Sequence, residues 1–126
     1  MEKKVSSGLR TLFLVHFIIG GIFGLIYLLI PEIWGGLIGW PVQEVLPYRL
    51  IGASVLGYAA SSWWCHQAAE WGKVKIVVQM EMVWATLGTL VMLYGLILGG
   101  LPAVGWLNAI ILGGFAVAFI YYYTKA

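Results

Sequence analysis

Glu81 is the one carboxylate inside a long apolar stretch of this chain, WGKVKIVVQMEMVWATLGTLVMLYG. His16 is its counterpart in an earlier stretch, LRTLFLVHFIIGGIFGLIYLLIP, where it stands well inside the run. An ionisable side chain in hydrocarbon is costly, so each of the two marks a functional site by default. A carboxyl and an imidazole in contact can hold or pass one proton, titrating as a coupled unit. They can also act as a polar clasp that fixes two helices in one register, and the clasp is the first expectation.

The elements that must position this pair are set by composition. Of 126 residues 62% are hydrophobic and 10% are charged, where a soluble domain carries about 25% charged residues. The solvent of such a chain is lipid. A helix needs roughly 20 apolar residues to cross the hydrocarbon core. Four segments meet that requirement, at about 9–30, 47–66, 74–99 and 102–124. The first is too long for the apolar core of a signal peptide, and no A-x-A-like site follows it, so it is expected to be retained. Short segments of alternating polarity, the mark of a membrane β-barrel, are absent. The expected fold is a single all-α transmembrane domain over 1–126, a four-helix bundle.

Lys and Arg set the orientation. With four crossings, Lys3, Lys4, Arg10, Lys73, Lys75 and Lys125 fall on one side and Arg49 alone on the other. Both termini are therefore expected in the cytoplasm, with the chain multi-pass in the cell membrane. The outer connection PEIWGGLIGWPVQEVLP is apolar in its middle and punctuated by Pro31, Pro41 and Pro47. It is expected to lie in the interface as a short helix or re-entrant hairpin, with Glu32 and Glu44 toward water. The GGLP connection between the third and fourth segments permits only a tight turn, which makes those helices antiparallel neighbours.

Depth then pairs the two ionisable groups. The first segment centres near Gly20 and the third near Thr86. At 1.5 Å per residue His16 lies about 6 Å, and Glu81 about 7.5 Å, to the cytoplasmic side of centre. Each ends a face of small residues. Gly20 and Gly24 share a face with His16; Gly88, Gly95 and Gly99 share one with Glu81; Gly113 lies on the fourth segment. Such faces are packing seams, because lipid gives helices no hydrophobic reason to associate and close backbone approach must serve instead. The second segment offers a weakly polar stripe of Ser54, Tyr58, Ser61 and Cys65. Arg49, roughly 18 Å in depth from Glu81, is expected to be an outer interfacial anchor on lipid phosphate or Glu44.

Other chemistries find no residue set. Haem needs two facing histidines, and His66 lies about 9 Å shallower than His16. Cys65, His66 and Glu81 lack metal-site spacing. No nucleotide loop or nucleophile elbow appears, and the basic residues are too few for a nucleic-acid surface. No catalytic residue, metal or cofactor is expected. In size and span count the chain is similar to the small multidrug exporters, which are dimers of four-helix subunits with an essential carboxylate in the first helix. Here the first helix carries His16 and the third carries Glu81, so the resemblance is one of architecture and carries no residue over. The expected function is that of a non-enzymatic packing or accessory subunit of a homo-oligomer or larger membrane complex. Its partners are then membrane lipids, further copies of itself or other membrane subunits. The alternatives are a small proton- or cation-coupled transporter or channel using Glu81 and His16, and a membrane enzyme acting on lipid or quinone with the second-segment stripe as its lining.

Overall fold

A computed structural model describes residues 3–126. Five helices follow one another: α1 (Ser7–Leu29), α2 (Pro31–Ile38), α3 (Val45–Gln67), α4 (Trp71–Leu98) and α5 (Gly105–Lys125). Among the described residues there is no strand, only an isolated bridge between Lys4 and Glu70. The all-α expectation is met, and α1, α4 and α5 are each long and apolar enough to cross a membrane. α3 is as long as α1, 23 residues, but carries Arg49, Ser54, Ser61, Ser62, His66 and Gln67, which lower its apolarity. The chain divides into two compact units.

The unit of residues Phe13–Gln67 holds most of α1, all of α2 and all of α3. α1 and α3 lie antiparallel with their backbones almost touching. A Cβ built on Gly52 would stand 2.6 Å from the Leu28 nitrogen and 2.8 Å from the Gly24 oxygen. One on Gly24 would meet the Leu56 side chain at 2.8 Å, and one on Gly20 would meet the Ala59 Cβ at 3.3 Å. Glycine is required at Gly52, where any side chain would meet the α1 backbone and force the helices apart, and at Gly24 a side chain would displace Leu56 and crowd the Gly52 carbonyl. The outer connection resolves as a short helix. α2 starts on Pro31, whose fixed φ suits the first helical position and whose missing N–H costs nothing there. It ends on Gly39 at φ 75°, a left-handed cap that few other residues adopt readily. Aromatic rings join the three helices. Phe23 of α1 meets Trp34 of α2 edge to face at 6.0 Å, and Tyr27 of α1 meets Tyr48 of α3 at 6.4 Å between centroids.

The second unit comprises Ala68–Ala126 with the N-terminal residues up to Leu12. α4 and α5 form an antiparallel hairpin. Gly88 faces Leu112, Gly113 faces Thr89, and Gly105 faces Met92 and Leu96. The turn is tight, with Gly100 at φ 69° and the Gly99 and Leu101 N–H groups both donating to the Gly95 carbonyl. Gly99 therefore closes the helix end, and Gly95 receives the Leu101 side chain. At the opposite end the N-terminal segment is pinned to the α3–α4 linker. Val5 N–H donates to Ala69 O at 2.9 Å and Trp71 N–H to Lys3 O at 2.8 Å. Ser6 then caps α1 by accepting the Leu9 N–H at 3.2 Å.

The α1–α3 seam generates a test. Gly52→Ala is expected to lower unfolding stability by about 3 kcal/mol, the upper end for overpacking. Gly57→Ala, whose Cβ would meet nothing within 4 Å, leaves stability unchanged or slightly raised. Denaturant titration in detergent micelles, followed by helical circular dichroism, measures both.

Candidate functional site

The buried face of α1 is Leu9, Phe13, His16, Gly20 and Gly24, at steps of three and four. That spacing is one face of a helix. The seam at Gly20 and Gly24 continues one turn toward the N-terminus to His16, which is 5% exposed. Across the seam α3 advances through Ala59 to Ser62. His16 Nδ1 and Ser62 Oγ are 2.7 Å apart, both buried, with the imidazole tautomer deciding which of them donates. Ser62 has no exposed surface, so in this geometry its hydroxyl can orient the imidazole but cannot reach a substrate.

Glu81 lies in the other unit, on the face of α4 formed by Val74, Val78 and Ala85. It is 0% exposed, the largest fully buried polar side chain among the described residues. Alternation of three- and four-residue steps from Val74 to Ala85 carries the carboxyl onto the same buried stripe as three small or medium apolar residues. Thus both ionisable residues singled out by the sequence are buried.

The polar stripe of α3 is arranged differently from its helical spacing. Ser54 is exposed and its hydroxyl donates to the Leu50 carbonyl at 3.1 Å. The Ser61 hydroxyl donates to the Tyr58 carbonyl at 2.7 Å. Both serines therefore spend their donors on their own helix rather than lining a pocket. Tyr58 is half-buried and Cys65 buried. Ser62, outside the expected stripe and next to Ser61, is the serine that meets His16. The signal for it was present: following α3 antiparallel to the Gly20–Gly24 face brings position 62 opposite position 16.

Arg49 finds a carboxylate, but in α2. Its Nη2 is 4.0 Å from Glu32 Oε1, with both side chains about half exposed, a weak pairing in a wet setting. Glu32 takes the place expected for Glu44 because α2 brings its first turn toward the start of α3. Gln79 reaches the end of α5 and donates from Nε2 to the Tyr123 hydroxyl at 3.1 Å. His66 is half-buried with its ring 5.9 Å from that of Trp63. Among the described residues no group of three His, Cys or acidic side chains is placed to hold a metal ion. No known family model, characterised protein or solved structure matches the chain.

Ser62→Ala removes the hydroxyl at His16 and is expected to cost about 0.6 kcal/mol, and no more than roughly 2, the range for hydrogen bonds between membrane helices. Ser61→Ala, which loses only a bond within its own helix, should cost less. Unfolding midpoints of the two variants in the same detergent provide the comparison.

Proposed function

We propose that the chain is a non-enzymatic polytopic subunit of the cell membrane, crossing it four times with both ends in the cytoplasm, and that it works through contacts of its helices with other membrane helices. Support for the fourth crossing comes from α3. It has the length of α1 and runs antiparallel along it from Gly52 against Gly24 to Ser62 against His16. Those contacts follow α1 for about 12 Å, and with the equal helix lengths they support α3 lying alongside it through the bilayer. The bridge between the N-terminal segment and the α3–α4 linker agrees, since it puts the start of α1 and the start of α4 at one face. That face carries Lys3, Lys4, Lys73 and Lys75, which the positive-inside rule assigns to the cytoplasm.

The observation that carries the subunit reading is the outward side of α3. Ala53, Ser54 and Gly57 are exposed there, and a Cβ on Gly57 would meet nothing within 4 Å. Lipid contact alone favours bulky apolar residues, as at the exposed positions Ile76, Leu87, Leu90 and Ile97 of α4. Small residues left outside the chain's own seams favour the close approach of another helix. Native mass spectrometry of the protein released from nanodiscs is expected to show an oligomer or a co-purifying membrane subunit. Gly57→Leu should disperse it while the monomer keeps its helicity; a wild-type chain that is monomeric and alone in nanodiscs counts against the reading.

A second reading rests on Glu81, a sealed carboxyl in an apolar span. If it couples a proton or cation to transport, Glu81→Gln abolishes pH-dependent flux in proteoliposomes while the protein stays folded. A variant that unfolds, with no flux in the wild type, assigns Glu81 to packing. Cysteine labelling from either side in a Cys65→Ala background, with reporters at Gly36 and Gly72, tests the four-crossing topology: the two positions should label from opposite faces.

A further inference from the structure

α5 carries an open apolar groove that none of these roles uses. Ala109, Ile110, Gly113, Gly114, Val117 and Tyr121 line most of its roughly 740 Å³. Gly114 forms the notch, for a Cβ there would meet nothing within 4 Å. Tyr122 forms the wall at the C-terminal end, braced against Gly8. Ile110, Gly114, Val117, Tyr121 and Lys125 follow one another at steps of four, three, four and four, a single line along the helix. The Lys125 ammonium stands at the end of that line, 5.6 Å above the Tyr121 ring.

We propose that this groove seats one acyl chain of an anionic phospholipid whose headgroup is held by Lys125. Length is the first argument. From Ile110 to Tyr121 the helix rises about 17 Å, close to the depth of one leaflet, half of the ~30 Å hydrocarbon core. A chain lying along the notch therefore brings its phosphate to the level of Lys125. Charge is the second. Lys3, Lys4, Arg10, Lys73, Lys75 and Lys125 all belong to this unit. Trp71 and Tyr123 pack at 6.1 Å between ring centroids, which places Lys125 at the same end as the lysines flanking Trp71. Apart from buried Glu81, the acidic residue described in this unit is Glu70, already approached by Lys73 at 3.6 Å. The groove thus ends at Lys125, on the end of the unit that carries the surplus of positive charge, and each cation near a membrane surface adds to the attraction for anionic lipid. A second copy docked side by side and parallel on this line would bring two Lys125 side chains together, which the charge disfavours.

The test is native mass spectrometry of the full chain in detergent, incubated with equal amounts of dioleoyl phosphatidylglycerol and dioleoyl phosphatidylcholine. The wild type is expected to retain phosphatidylglycerol in preference. Gly114→Leu, which fills the notch without a clash, should lose both lipids. Val117→Phe fills the same groove from a position that already carries a side chain, and replaces Gly114→Leu if that variant loses helicity. Lys125→Gln should keep a lipid but lower the preference for phosphatidylglycerol about fivefold, the effect of one interfacial cation. Unchanged retention in the groove-filling variants overturns the acyl site. An unchanged headgroup preference in Lys125→Gln overturns the headgroup assignment. Loss of a lipid-free dimer on filling the groove overturns the proposal in favour of a second copy.

Discussion

The near-contact of two backbones at Gly24 and Gly52 governs the first unit. In lipid there is no hydrophobic gain in bringing helices together, so dispersion and short-range polar contacts must supply it. Both fall off steeply with distance, and a single methyl group at Gly52 would hold the axes apart. The separation set there propagates along the antiparallel pair. It brings Ala59 onto Gly20, and one turn further it brings Ser62 within 2.7 Å of His16. The polar contact is thus a consequence of the glycine contact. A side chain as short as serine can bond an imidazole across a helix pair only when the backbones are this close.

The α4–α5 hairpin solves the same problem by other means. Its glycines receive leucine and threonine side chains from the facing helix instead of backbone, and the short turn does the work of alignment. Two N–H groups converge on the Gly95 carbonyl, so the helix end that would otherwise leave orphan acceptors in an apolar setting is closed by its own turn. At the other end the hairpin is finished by aromatic and amide groups, Trp71, Gln79 and Tyr123. These suit the zone where hydrocarbon gives way to water.

How far the sequence could be read follows from which signals act locally. The long apolar runs, the proline at the start of α2 and the tight GGLP turn are local, and the helices lie where those signals put them. Gly20 and Gly24 were legible as a seam because spacing alone defines a face. Their partner Gly52 was not, since a single glycine in the second segment declares nothing until the register between helices is known. The same reason displaced Ser62. Four polar residues at helical spacing outlined a stripe at Ser54, Tyr58, Ser61 and Cys65, yet serines in a membrane helix can satisfy themselves on the preceding carbonyl turn. Spacing cannot distinguish a serine that does so from one that faces a neighbour. Arg49 stands beside Glu32 rather than Glu44 for a related cause: Glu44 is nearer in sequence, but the α2 helix brings another carboxylate to it.

The low apolarity of α3 is what most separates composition from structure. Counted by residue type it is the poorest candidate to lie in hydrocarbon. Counted by unsatisfied groups it is a good one. Ser54 and Ser61 return their donors to carbonyls of their own helix, and Ser62 meets His16. Arg49 stands in the first turns beside Glu32, and His66 stands in the last beside Trp63. The charged and strongly polar groups are therefore at the ends, where water and headgroups reach, and the middle exposes only groups already bonded. The cost of burying a polar group is chiefly the cost of leaving it without a partner. A helix that settles its polar groups internally can accompany α1 across a bilayer while scoring as only moderately apolar, and this is what the proposed fourth crossing requires of α3.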